Sequence, residues 1–394
     1  MRTFDGGIYK TPKEALKAVF GYDSFRPGQE SVINAVLEGR DILAVMPTGA
    51  GKSLCYQVPA MLFSGITLVI SPLISLMQDQ VKALNEAGVD AAFINSSLSE
   101  KELNDTFKNA YKGHYKIIYV APERLMSEGF ISLAKSIEIS MITVDEAHCI
   151  SQWGQDFRPS YMDIAEFINI LGKRPIISAF TATATQNVRE DIICSLGLSD
   201  PYFLVTGFDR ENLFFQVDKP QNKERFILDY IERHRGESGI IYCATRKNVD
   251  SLYTLLRKQH ISVARYHAGM SNEERKQMQD DFVFDYTSIV IATNAFGMGI
   301  DKPDVRFVIH YNIPKSLEGY YQETGRAGRD GEEGICITFY SQKDLKKLDK
   351  FMEGKPVAEQ EIGRQLLHET EAYAESSVCR RRLLLHYFGE IYPN

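Results

Sequence analysis

The sequence predicts an α/β protein of two parallel-sheet units followed by a short helical segment, and three observations carry that reading. Short, almost continuously apolar runs alternate with helical patterns along most of the 394 residues, as strands buried on both faces require. The alternation breaks once, near residues 198–213, and then restarts. A glycine-rich loop ending in Lys52-Ser53 follows the first apolar run and opens a helix, the setting in which backbone N–H groups converge on phosphate.

Taken in order, Thr11-Pro12-Lys13-Glu14 reads as a helix start, with Thr11 as cap, Pro12 in the first helical position and Glu14 closing a capping box. The helix should run to about Phe20. The strands of domain one (1–197) are DILAVM (41–46), GITLVIS (65–71), AAFIN (91–95), KIIYVA (116–121), ISMITV (139–144) and PIISAF (175–180). LSDPYFLVTGFDRENL (198–213) reads as a linker. Domain two (214–340) carries GIIYCAT (239–245), HISVARY (260–266), TSIVIAT (287–293), VRFVIHY (305–311) and GICITFY (334–340), without a second lysine-bearing glycine loop. From 341 to 394 the pattern is helical and mixed in charge, with the basic run CRRRLLLHYF (379–388).

Length alone favours two domains. Hydrophobic content of 44% and charged content of 25% are those of an ordinary globular protein. No apolar run approaches 18 residues and MRTFDGGIYK lacks a signal-peptide core, so a cytoplasmic chain without membrane insertion is expected. Six scattered cysteines with no CxxC pair suit reduced thiols and provide neither a disulfide framework nor a complete zinc site. A net charge of −7 argues against coating nucleic acid by bulk electrostatics, so any such contact must be local.

Thr48, Gly49, Ala50 and Gly51 leave N–H groups free to face one concavity, while Lys52 and Ser53 suit phosphates and magnesium. Met46 stands where the motif's first glycine belongs. Such a match by itself also occurs in flexible loops. Its partner is Asp145-Glu146-Ala147-His148, at the carboxyl end of ISMITV, where parallel sheets bind ligands. Asp145 would hold magnesium and Glu146 would orient or deprotonate the attacking water. A solvated helix start is the plainer account of an acidic pair, but it loses weight beside the glycine loop. In domain two, Asn294–Asp301 (NAFGMGID) follows a strand and Gln322–Gly331 (QETGRAGRDG) follows a helix. Arg326 and Arg329 suit insertion toward a γ-phosphate or, equally on this pattern, a solvated basic turn.

FRPGQE (25–30), MPTGAGKSLCYQ (46–57), SPLISLMQDQ (71–80), DEAHCISQWGQDFRPSY (145–161), FTATAT (180–185), FGMGIDKPDVRFVIHYN (296–312) and YYQETGRAGRDG (320–331) together resemble the ordered motif set of RecQ-family DNA helicases, within helicase superfamily two. The aromatic extension CISQWGQDFRP separates this group from RNA helicases. The resemblance implies two RecA-like domains of the P-loop NTPase type, ATP in the cleft between them, and 3′-to-5′ translocation on single-stranded DNA. By similarity Tyr22, Arg26 and Gln29 would recognise adenine, and Asp301 falls in a nucleotide-binding motif. Gln322 would help place the water, with Arg329 and Arg326 reaching across from domain two. Ser71, Ser75 and Thr293 fall in motifs that line the DNA track. Trp153, Gln155, Phe157 and Arg158, with Tyr161, lie among polar residues without helical or strand period, which favours an exposed base-stacking loop over core packing. His148 would couple that loop to the acids, and His267 reads as a structural turn histidine.

Three departures limit the transfer. Gln155 replaces a usual histidine, Glu211 replaces a usual proline, and only Cys379 is available toward the family's four-cysteine zinc module. The chain is therefore expected to stop ahead of the zinc-binding cysteines, with zinc in a longer form only. The expected activity is an ATP- and Mg²⁺-dependent DNA helicase in repair or recombination, a monomer acting on single-stranded DNA and on overhangs or forks. The alternatives are an RNA helicase or a nucleotide-gated DNA-binding or annealing module.

Overall fold

Strands apolar on both faces find burial only between two helical layers, and the structure, a computed structural model, has two sheets of that kind. It describes residues 9–154, 156–297, 302–354 and 356–392, without the side chain of Asn272. The chain divides into units meeting at 207/208.

In the first unit, β1 (Ile42–Val45), β2 (Ile66–Ile70), β3 (Ala91–Ile94), β4 (Ile117–Val120), β5 (Ile139–Val144), β6 (Ile176–Thr181) and β7 (Tyr202–Val205) form one parallel sheet in the order β3-β4-β2-β5-β6-β1-β7. The register sets Val45 of β1 beside Thr181 of β6, and Val144 of β5 beside Ala179 of β6 and Ile70 of β2. The carboxyl ends of four strands thus lie at one level. Helices Gln29–Leu37 and Leu54–Leu62 pack on each other and on the sheet through Val32, Ile33, Val36, Val58 and Phe180. At the opposite end of β1 the buried Asp41 accepts from both terminal nitrogens of Arg174 (3.1 and 2.6 Å), from Ile177 N (2.9 Å) and from Ser199 N (2.8 Å). One carboxylate so fixes β1, the start of β6 and the approach to β7, with every bond charge-assisted.

The second unit has β8 (Leu213–Asp218), β9 (Ser238–Tyr242), β10 (Val263–Tyr266), β11 (Ile289–Ala292), β12 (Val305–His310) and β13 (Gly334–Phe339), parallel in the order β10-β11-β9-β12-β13-β8. Helices Gln342–Lys350, Val357–Glu375 and Arg380–Tyr387 follow. The last two pack on helix Leu317–Thr324 through Tyr320, Tyr373 and Leu384, and Phe388 stacks on Phe208 at 4.4 Å.

Two expectations need correction. The stretch 198–213 is not a plain linker, because Tyr202–Val205 extends the first sheet beside β1 and Leu213 begins β8 beside β13. Both strands lie at sheet edges, so only one side needs apolar cover, and turn residues flank each run. At the first helix Thr11 Oγ1 accepts from Glu14 N (3.2 Å), but the Glu14 carboxylate takes the N–H of Lys10 (2.9 Å) rather than that of the cap. The box is reciprocal with a one-residue offset.

Gly239 of β9 has no room for a side chain, because a Cβ there would sit inside the ring of Phe307 on β12. Gly239→Ala should destabilise the chain by about 1–3 kcal/mol, the usual cost of overpacking. Thermal unfolding would check this, and Phe307→Leu in the same chain should return part of the loss.

Candidate active site

The loop after β1 turns on Gly49 (φ +86°) and Gly51 (φ +78°), values open to glycine at little cost. Its shape is held from below by Gln29, which is 1% exposed. The Gln29 amide donates to the carbonyls of Ala50 (3.2 Å) and Gly51 (3.0 Å), and its Oε1 accepts from Arg26 N (2.8 Å). The Arg26 guanidinium donates to the Gly49 carbonyl. A Cβ on Gly51 would stand 2.5 Å from the Gln29 amide, so glycine is required there twice over. Lys52 Nζ donates to the Met46 carbonyl at 3.0 Å. Thr48 and Ser53 are half-buried, and Tyr22 is exposed in the turn ahead of Arg26. Arg26 and Gln29 are therefore bonded to the loop that carries Thr48 to Ser53, Tyr22 takes no part in these bonds, and Asp301 lies outside the described residues.

Asp145 follows β5, and its Oδ1 accepts the N–H of Glu146 at 3.0 Å. Burial and then the Glu146 charge push the Asp145 carboxyl up to about 7, against the pull of Lys52. Glu146 has φ +48° and ψ +46°, a left-handed conformation rarely taken by a non-glycine residue and common at functional turns. His148 is buried, and its Nδ1 lies 2.9 Å from Thr181 Oγ1 at the end of β6. Thr181 donates its own proton to the Thr183 carbonyl at 3.0 Å. It must therefore accept from His148, which puts the proton on Nδ1 and leaves Nε2 as a buried acceptor without a partner. Burial lowers the basicity of the ring despite the nearby Glu146, so the neutral tautomer is favoured.

The aromatic stretch divides. Trp153 is 42% exposed and therefore no core residue. Phe157 is half-buried, and Arg158 is pinned by its bond to the Pro72 carbonyl (2.9 Å) and its pair with Asp156 (3.2 Å). Tyr161, expected with the exposed aromatics, is instead fully buried with its hydroxyl on the Asp145 carbonyl at 2.9 Å. Gln155 lies outside the described residues. The loop rests directly on the acid turn, because a Cβ on Gly154 would overlap the His148 carbonyl, and Ser151 Oγ holds Asp191 at 2.6 Å. Ser71 is buried with an unpartnered hydroxyl, whereas Ser75 is exposed on helix Ile74–Glu86.

In the second unit Gln322 is half-buried on helix Leu317–Thr324, Thr293 is half-buried after β11, and Arg329 is half-buried. Arg326 is 6% exposed, and its guanidinium donates to the Gly297 carbonyl. A solvated basic turn does not describe Arg326. His267 is buried, 3.2 Å from Asp250, and accepts from Gly269 N, the bonding of a turn histidine. Sequence reasoning gave no role to Thr181 and Thr183. Thr181 ends β6, and the backbone of Thr183, two residues on, both accepts from its hydroxyl and donates to it.

The DEAD/DEAH box helicase profile matches residues 26–191, the helicase conserved C-terminal domain profile 222–331, and the RecQ zinc-binding profile 342–394. The chain is 46% identical over 382 residues to the ATP-dependent DNA helicase RecQ of Bacillus subtilis, covering 96% of this chain and 64% of that one. It is 42% identical over 386 residues to the putative ATP-dependent RNA helicase R290 of Acanthamoeba polyphaga mimivirus, covering 97% and 70%. The chain belongs to the RecQ helicase family. It spans about two thirds of the length of its Bacillus RecQ relative. The fold matches Saccharomyces cerevisiae Dbp5 bound to RNA and ADP BeF3 with a TM-score of 0.69 at 19% identity, covering 94% of this chain and all of that one.

The expectation that residues 341–394 are only the helical start of an incomplete zinc-binding module, cut off before its cysteines, is corrected by the match over 342–394, since the RecQ zinc-binding profile covers the segment that holds helices Val357–Glu375 and Arg380–Tyr387. The segment supplies one cysteine, the exposed Cys379. Among the described residues no group of three or more His, Cys, Asp or Glu is arranged to hold a metal, so these residues do not fit a four-ligand zinc site. No helix among them is long and apolar enough to cross a membrane.

Thr181→Val should leave the His148 Nδ1 proton only the Glu146 carboxylate, 3.4 Å away, and cost about 0.5–1.5 kcal/mol of stability. Thr181→Ser, which keeps the hydroxyl, should melt near the parent. Chemical denaturation of the two variants side by side would check this.

Proposed function

We propose that this chain is the motor core of an ATP- and Mg²⁺-dependent DNA helicase that moves 3′ to 5′ on single-stranded DNA in repair or recombination. The observation that carries the reading is 46% identity, across 96% of the chain, to a protein named as an ATP-dependent DNA helicase. The geometry at Lys52, Asp145, Glu146 and His148 supports it.

In this reading Thr48 to Gly51 offer N–H groups to the phosphates, and Lys52 exchanges the Met46 carbonyl for phosphate oxygen. Tyr22, Arg26 and Gln29 take the adenine. Ser53 and Asp145 hold Mg²⁺, which when bound neutralises charge on the transferring phosphate. The carboxylates of Asp145 and Glu146 stand on adjacent residues, and a cation there would relieve the repulsion and burial that raise Asp145. Glu146 accepts a proton from water with neutral His148 beside it, while Gln322, Arg329 and Arg326 serve the developing charge. Ser71, Ser75 and Thr293 line the strand, and the Trp153 loop stacks a base. A cytoplasmic monomer acting on overhangs or forks is the simplest form of this reading.

ATP hydrolysis without nucleic acid, with single-stranded DNA and with RNA is the test. Stimulation by DNA alone supports the proposal. Stimulation by RNA would favour the class named for the mimivirus relative, and hydrolysis without strand separation would favour an annealing module. Lys52→Ala should abolish turnover while nucleotide affinity falls less, and near-normal DNA-stimulated hydrolysis in that variant would sink the assignment.

Trp153→Ala separates sensing from packing. An exposed stacking residue contributes about 1–3 kcal/mol per base, so DNA binding should weaken modestly, melting should hold, and DNA stimulation of hydrolysis should collapse. Parallel melting and ATPase measurements check this.

A further inference from the structure

Helix Leu317–Thr324 delivers Gln322 and runs into Gly325–Arg329. One turn back on the same face stands Glu318, a carboxylate that the hydrolysis scheme does not use and that is only 3% exposed. Tyr387, on helix Arg380–Tyr387, places its hydroxyl 2.6 Å from Glu318 Oε1 and 3.1 Å from Glu369 Oε2. Glu369 lies on helix Val357–Glu375. A phenol has one proton to donate, so with both carboxylates ionised one of these two contacts sets oxygen against oxygen. A single added proton resolves both: the Glu318 carboxyl donates to Tyr387, and Tyr387 donates to Glu369.

We propose that Glu318, Tyr387 and Glu369 form a proton-sharing clasp that fastens the C-terminal helical segment to helix Leu317–Thr324 and makes Glu318 a positioning residue for Gln322 and Arg326. The catalytic half of this rests on the reading of Gln322 and Arg326 given above. The same contact carries two aromatic supports, Tyr373 on Tyr320 with ring centres 5.4 Å apart, and Phe388 on Tyr321 at 5.0 Å. The groups facing Glu318 are Tyr387 and Glu369 from the two C-terminal helices and the Ser316 hydroxyl at the start of its own helix. Burial pushes the Glu318 carboxyl up to about 6, the Tyr387 hydroxyl pulls it back in part, and Glu369 adds to the rise.

Because the folded value exceeds the ordinary one of 4.5, the folded chain holds the proton that the unfolded chain releases across that interval. The clasp's contribution is complete at the acid end and is lost as pH rises through about 6.

Melting of the parent and of Glu318→Gln between pH 5 and 8, with ATPase kinetics of Tyr387→Phe at a temperature where it is fully folded, test the proposal. The Gln variant carries the donor permanently, so it should melt at least as high as the parent at pH 8 and should fall less steeply than the parent between pH 5 and 7, with the contribution of Asp145 common to both. Tyr387→Phe should lower kcat roughly three- to tenfold with KM for ATP within about twofold, as for a displaced reacting group. An unchanged pH slope in Glu318→Gln would overturn the shared proton. Lower melting of Tyr387→Phe with unchanged kcat would overturn the positioning role. If the parent does not hydrolyse ATP, the helicase reading fails, and the pH slope of melting alone still decides the clasp.

Discussion

The alignment of β5, β6 and β1 at their carboxyl ends is the constraint on which the candidate site depends. Val45 beside Thr181, and Ala179 beside Val144, put the glycine loop, the Thr181 hydroxyl and the two acids at one level of the sheet. A shift of one residue between β5 and β6 would turn Thr181 away from His148, because strand side chains alternate faces. Asp41 anchors the far end of β1 and β6 with four charge-assisted bonds, so a slip there would cost several buried interactions together.

Around that alignment the polar groups are held by main chain. Gln29, Arg26, Lys52 and Arg158 each donate to backbone carbonyls. Such bonds satisfy the side chain without spending a second charge, which fits a chain with net charge −7 whose ligand would be more negative still. His148 is set instead through a side-chain hydroxyl, and its orientation therefore depends on a neighbouring strand as well as on its own loop.

Much of this was legible in the sequence, and the remainder was hidden for identifiable reasons. Eleven strands stand out because doubly buried strands read as unbroken apolar runs. Tyr202–Val205 and Leu213–Asp218 do not, since edge strands need apolar cover on one side only. The glycine loop and the acids could be named from local spacing. Gln29, 22 residues from Gly51, could be tied to the loop only by resemblance. Tyr161 shares its neighbourhood with exposed aromatics yet falls into the core, because the chain turns inward at Pro159–Tyr161. The Glu318, Tyr387 and Glu369 contact leaves no trace in sequence, since three helices bring its members together. The C-terminal segment was legible as helical, but its single cysteine drew attention to the ligands it lacks rather than to the helices it supplies.

Gly154 illustrates how a demand for empty space can resemble a demand for chemistry. The aromatic loop lies on the His148 backbone with no gap wide enough for a methyl group. Loop and acid turn are therefore in direct backbone contact at this point. Position 154 bears no functional group, yet its tolerance to replacement would match that of residues that touch phosphate. Across diverging sequences it would stay fixed while charged neighbours drift, and compensation would have to come from main-chain displacement, which no single second-site change provides.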